Sequence, residues 1–171
     1  MIIGNKVFTY DDLYNNNGIY LSFFHNTEFS SRDPEKILKN INDNLKNAHE
    51  FLSSAKFLFI TFGTARVYRL KKSGMIISNC HKLPPDFFIP DLLSVDDIVS
   101  IWSELLEKLH KFYPSLKVVF TISPVRHWKD GAHGNQVSKS LLFVAVEELL
   151  KHPSHPDYFP AYELVMDDLR D

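Results

Sequence analysis

Arg126, His127, Lys129, Asp130, His133, Asn135 and Gln136 fall within one short stretch, residues 121–140, TISPVRHWKDGAHGNQVSKS. An apolar run, Leu116-Lys117-Val118-Val119-Phe120, precedes it and reads as a buried strand. The run LLFVAVEELL follows and reads as a buried helix. In open α/β sheets, ligands bind in the crevice outside the carboxyl ends of the strands, so these polar groups stand where chemistry is expected. Arg126 offers a planar guanidinium suited to a carboxylate or phosphate, and His127 offers a base near neutral pH. The bland alternative gives Arg126 a structural ion pair and His127 a backbone bond within the loop.

Gly63-Thr64 follows a second apolar run, residues 57–62. The N–H groups of such a turn can hold an oxyanion, although a glycine there also serves turn geometry alone. Asn79 and His81 flank Cys80, and His81 is a candidate acid, base or orienting group. Neighbours in an extended segment point to opposite faces, so Cys80 and His81 do not form a nucleophile–base pair. Ser123 is followed at once by Pro124, unlike a nucleophile elbow, which has glycine two residues after the serine and leads straight into a helix. The stretch at 130–136 has two glycines and reads as a loop, without the spacing of a P-loop or a dinucleotide fingerprint. Asp130 or Asn135 in it is a candidate cap for the next helix. His127 and His133 lack zinc-ligand spacing. No metal and no cofactor is expected. His25, His152 and His155 lie in polar turns with nothing to assign them a role.

These groups need a frame. Asp33-Pro34 opens a helix with an N-cap and a proline at the first helical position. Ile37, Leu38, Ile41, Leu45, Ala48 and Leu52 continue it at helical spacing to about Ser54. Residues 57–62, apolar on both faces, read as a central parallel strand covered by helices. Residues 67–70 and 75–78 flank Lys71-Lys72-Ser73-Gly74 as a hairpin. Pro84, Pro85 and Pro90 mark the next stretch as irregular. Ser94 to Asp97 resembles a capping box with Asp for Glu, and opens a helix that Pro114 ends. A strand at 116–122, a helix from about Ser138 to Lys151, a short strand at Tyr158-Phe159 and a terminal helix from Ala161 to Arg170 complete the chain. Residues 1–33 read as irregular, with short extended pieces such as Ile19-Tyr20-Leu21-Ser22-Phe23 and with Asn15-Asn16-Asn17-Gly18 as a turn. The alternation of strands and helices gives an α/β fold with a mostly parallel sheet. Only two parallel strands are strong, so the sheet reads as incomplete.

The 171 residues suit one domain, with 44% hydrophobic residues, 14 Phe and 7 Tyr. A formal charge of −2 gives no electrostatic case for nucleic acid or an anionic membrane. No apolar run reaches the roughly 20 residues needed to span a bilayer, and the first residues do not read as a signal peptide. Cytoplasmic residence is the default expectation. One cysteine excludes an internal disulfide framework.

Taken together, FITFGTARVYRL, SNCHKLP, LLSVDDIV, TISPVRHWKDGAHGNQVSKS and YFPAYELVMDDLRD resemble the GSCFA-domain family over residues 24–171. This is a bacterial group related in fold to the SGNH/GDSL hydrolases. The resemblance implies a three-layer, flavodoxin-like α/β/α sandwich and serine hydrolysis of an ester or related acyl bond, on a small-molecule or carbohydrate ester. It implies Gly63, Thr64, Asn79, His81, Arg126 and His127 as oxyanion or substrate-positioning residues. Ala65 replaces an asparagine that many SGNH enzymes carry two residues beyond that glycine. The family's Gly-Ser-Cys-Phe-Ala segment, which holds its presumed nucleophile, does not occur in this sequence, nor does the late Asp-x-x-His block. The expectation is therefore the central portion of one such partial domain, inactive as the isolated chain. The alternative is a binding module or pseudoenzyme that holds a small acidic or carbohydrate ligand. Without a further strand, residues 57–62 present an open apolar edge, and self-association through it is the corresponding expectation.

Overall fold

The computed structural model describes residues 6–169. They group into two compact units. The first takes the chain up to Ser54 and the excursion Val67–Asp91; the second takes Ala55–Arg66 and the chain from Leu92 onward.

In the first unit, β1 (Tyr14–Asn16) and β2 (Ile19–Leu21) form an antiparallel hairpin. Its turn residues, Asn17 and Gly18, both have positive φ (51° and 84°), the combination a two-residue type I′ turn requires. Strand β2 falls in the extended piece expected at residues 19–23 and the turn falls where Asn15 to Gly18 marked one, while β1 and the pairing of the two strands were not expected. Helix α1 (Pro34–Ser54) starts as expected, with Asp33 Oδ1 accepting from the N–H groups of Glu35 and Lys36. Its Ile37 and Ile41 close over Phe8 in one aromatic-rimmed core. A second core joins Leu21, Phe23, Ile77, Leu83 and Phe88, with Cys80 packed against it.

The expected hairpin is present as β4 (Arg66–Leu70) and β5 (Ile76–Ile77), with Tyr68 opposite Ile77. A third strand, β6 (Phe88–Leu92), runs along the other side of β4 where proline-rich, irregular chain was expected. Pro90 is compatible with it because β6 is an outer strand of this sheet, where a missing N–H faces away from the ladder.

The second unit is the α/β part. Strands β3 (Phe57–Phe62), β7 (Lys117–Ile122) and β8 (Asp157–Phe159) form a parallel sheet in the order β3-β7-β8. Helices α2 (Val95–Phe112) and α3 (Gly131–Leu149) are the crossovers, and a short α4 (Ala161–Glu163) continues into a π-helical turn to Asp168. The expected continuation of this segment to Arg170 lies outside the described residues. The capping box is real: Asp97 N–H donates to Ser94 Oγ (3.1 Å) and Ser94 N–H to Asp97 Oδ2 (3.0 Å).

Phe120 and Ile122 of β7 are fully buried. Phe120 stacks on Phe62 at 5.4 Å, and the Trp102 indole of α2 stands edge-on to both rings. This parallel α/β unit agrees with the expected fold class. One detail does not. Strand β3 pairs only with β7 among the described residues, and Phe57 and Phe59 are 58% and 61% exposed. It is an outer strand bare on one face, not a central one covered on both. An apolar run reports the surface a strand offers for burial, and says nothing of whether a neighbour takes the offer.

Candidate functional site

The carboxyl ends of β3 and β7 lie side by side in the second unit, joined by Ser123 N–H donating to the Phe62 carbonyl (2.9 Å). Gly63 and Thr64 leave one strand; Ser123 to His127 leave the other. A β-carbon built on Gly63 would lie 3.5 Å from His127 Nε2. The imidazole therefore rests against the bare glycine, and a side chain larger than a methyl group there would displace it. Thr64 turns its hydroxyl inward to Ser138 Oγ (2.9 Å), which also accepts the buried Ala65 N–H (2.8 Å). The Thr64 backbone N–H has no hydrogen-bond partner among the described residues.

The second strand end is braced from α3. Asn135, 5% exposed, accepts the His127 N–H through Oδ1 (2.9 Å). Its amide therefore fixes the loop and does not cap the helix. Asp130 makes no side-chain cap bond either; its carboxylate stands 3.2 Å from Arg66 Nε. That pair is an ion pair by charge and distance, because the Nε–H is not aligned on an acceptor.

Helix α3 begins at Gly131, seven residues before the expected start at Ser138. Gly131 sits at φ 70°, ψ 167°, a region essentially reserved for glycine. Gly134 is helical, and a β-carbon there would come within 3.2 Å of Asp130 Cβ and 3.3 Å of an Arg66 Nη. Both glycines that suggested a loop instead serve the helix start, Gly131 by its backbone angles and Gly134 by letting Asp130 and Arg66 come close.

Arg126 projects over the exposed Trp128 ring, 5.7 Å from its centroid. The two line a cleft of about 450 Å³ with Asn135, Gln136, Tyr162 and Asp167. A guanidinium, two amides, a carboxylate and two aromatic rings can orient a small polar ligand by hydrogen bonds and ring contact.

The sequence reading missed Lys139. It is 2% exposed, and its Nζ donates to the carbonyls of Gly63 (2.6 Å) and Ser123 (2.5 Å). It makes no ion pair with a carboxylate among the described residues. Burial holds its pKa below the usual lysine range, because desolvation penalises the ammonium. Lysine is almost never fully buried unless paired, so composition and position gave no signal for it.

Asn79 and His81 belong to the first unit, in a turn where His81 and Lys82 both have positive φ (50° and 57°). Asn79 Oδ1 accepts the His81 N–H (2.8 Å), and His81 Nε2 donates to the Ser22 carbonyl (2.9 Å). His81 Nδ1 is buried without a hydrogen-bond partner among the described residues. His25 bonds Ser22 Oγ through Nδ1 (2.9 Å). Burial and then the His81 charge hold the His25 pKa below the ordinary histidine value. Of the six expected residues, then, Gly63, Thr64, Arg126 and His127 gather at the strand ends of the second unit.

Among the described residues, no cluster of His, Cys, Asp and Glu could hold a metal ion, and no helix is long and apolar enough to cross a membrane. The GSCFA family model matches residues 1–171. No curated protein matches the chain, and no solved structure does.

Proposed function

The chain belongs to the GSCFA family, and on that premise we propose that the ends of β3 and β7, together with the cleft that Arg126 lines, are the oxyanion-binding and substrate-positioning part of an acyl-ester hydrolase site. The observation that carries this reading is the juxtaposition of the His127 imidazole with Gly63, next to a Thr64 N–H that no described residue uses. Preorganised N–H donors aimed at developing negative charge are the largest single contribution to many acyl transfers. In this reading Thr64 N–H donates to the acyl oxygen, the imidazole stands beside it, and Arg126 orients the remainder of the substrate. Ser123 Oγ accepts the Val125 N–H and Ser138 Oγ is tied to Thr64 and Ala65, so neither is assigned as nucleophile. Asn79 and His81 hold a turn of the first unit.

A second reading is a binding module without catalysis. The exposed Trp128 ring beside Arg126, Asn135 and Gln136 favours it, because aromatic rings with planar polar side chains suit a carbohydrate or a small acid.

The test is amide NMR of the chain titrated with acetate, with ethyl methylphosphonate and with an acetylated monosaccharide. A site built for a tetrahedral oxyanion binds the phosphonate more tightly than the planar carboxylate. The expected result is a saturable shift of the Thr64 amide, tighter for phosphonate, weakened about tenfold by Arg126→Ala or His127→Ala. A Thr64 amide unmoved by either anion overturns the hydrolase reading. Sugar binding that perturbs Trp128 alone, with no preference for the acetylated form, selects the binding module.

A further inference from the structure

Ladder register turns the buried lysine into a statement about the peptide beside it. In a parallel pair, a residue that faces its partner strand donates its N–H to one residue before its counterpart and accepts from one residue after. Phe62 pairs with Ile122, and Ser123 N–H donates to the Phe62 carbonyl. The same parity holds at the other end, where Lys117 N–H donates to the Lys56 carbonyl. Two residues further, the next rung requires Thr64 N–H on the Ser123 carbonyl and Val125 N–H on the Thr64 carbonyl.

Neither bond forms. The Ser123 carbonyl is taken by Lys139 Nζ (2.5 Å), and Val125 N–H is taken by Ser123 Oγ (3.2 Å). Thr64 N–H is left over. Lys139 also donates to the Gly63 carbonyl (2.6 Å), and that carbonyl and the Thr64 N–H are the two ends of one peptide group. A cation on the carbonyl oxygen polarises the amide and strengthens its N–H as a donor, as in any chain of hydrogen bonds.

We propose that Lys139 is a positioning residue that ends the β3–β7 ladder one rung early, so that the Thr64 N–H stays vacant and is primed for an anionic oxygen. It does so twice over: its charge competes for the carbonyl, with its two lone pairs, that would otherwise take the donor, and it polarises the peptide that carries it. A hydrophobic side chain of similar length fills the same space without doing either. The ladder part stands independently of function; the anion part rests on the oxyanion reading above.

The test uses isotope-labelled wild-type chain and Lys139→Met. In the wild type, through-hydrogen-bond coupling between Thr64 N and the Ser123 carbonyl carbon is absent, and Phe62 shows its own ladder coupling. In Lys139→Met that Thr64 coupling appears, Thr64 amide exchange slows and ethyl methylphosphonate binding weakens, each by about tenfold or more, the worth of one charge-assisted hydrogen bond. A Thr64–Ser123 coupling already present in the wild type overturns the proposal, whether or not the variant folds. So does a folded Lys139→Met with unchanged exchange and affinity. If the wild type binds no phosphonate while the coupling pattern is as expected, the oxyanion reading falls and the ladder assignment stands.

Discussion

At residues 79–82 the chain turns through two successive left-handed residues, and His81 donates to both Asn79 Oδ1 and the Ser22 carbonyl. At the ends of β3 and β7 the turn groups are bonded almost as fully, but through α3: Ser138, Lys139 and Asn135 each reach back to a backbone group. Both clusters stood out in the sequence for the same reason, polar residues next to apolar runs. The difference is in what is left over. The first turn leaves a buried ring nitrogen, His81 Nδ1, inside the fold. The strand ends leave a backbone donor at Thr64, the residue after the glycine on which the His127 imidazole rests. A polar segment becomes a site when the scaffold satisfies its neighbours and leaves one directed group unspent.

The bluntest way to break this contrast is to remove the frame of the strand ends. Phe120 is 0% exposed, and Phe120→Ala is expected to cost about 3–5 kcal/mol by urea denaturation, with loss of phosphonate binding. A cost near zero would mean that the stacked ring does not hold the strands. Gly131→Ala forces a β-carbon into a region where only glycine is comfortable and should cost about 1–3 kcal/mol, with broadening of the Arg126 to Asp130 amides. Unchanged amides would detach the loop from the helix start.

Paired variants sharpen the contrast. Ser138→Ala strands the buried Ala65 N–H and should cost about 1–3 kcal/mol, together with weaker phosphonate binding. His81→Ala should cost a similar amount of stability, about 1–3 kcal/mol, expressed in melting more than in affinity. Equal loss of affinity in His81→Ala and His127→Ala would erase the distinction drawn between the two clusters. The smallest effect is in pH. The folded His25 pKa is depressed, so below the ordinary value near 6.5 the unfolded chain takes up a proton that the folded chain resists. Stability contributed by neutral His25 is present above that value. It declines as pH falls through it toward the depressed folded value. His25→Gln should flatten this part of the stability–pH curve, and an unchanged slope would assign it elsewhere.

Much of the frame was legible. Asp33-Pro34 and Ser94 to Asp97 announced their helices because caps are local chemistry, and the apolar runs announced β3 and β7. Strand β6 was hidden because Pro90 argues against a strand unless its outer position is known. The start of α3 was hidden because Gly131 and Gly134 look like loop residues until the backbone angles of the first and the close neighbours of the second, Asp130 and Arg66, are placed. Gly63 and His127 were each legible, but not their contact, which joins residues far apart in the chain. Lys139 was invisible because its role depends on two carbonyls and a strand register.

The excursion 67–91 is bracketed within the second unit by one hydrogen bond, Leu93 N–H donating to the Ala65 carbonyl (3.0 Å). Its two ends are held together whatever lies between them. Loop-closure entropy grows only with the logarithm of length, about 0.6 kcal/mol per doubling. For the parallel sheet, this closing bond is therefore a graft point: descendants of this fold can lengthen, shorten or exchange the material beyond it at little thermodynamic cost to the strand ends that it leaves behind.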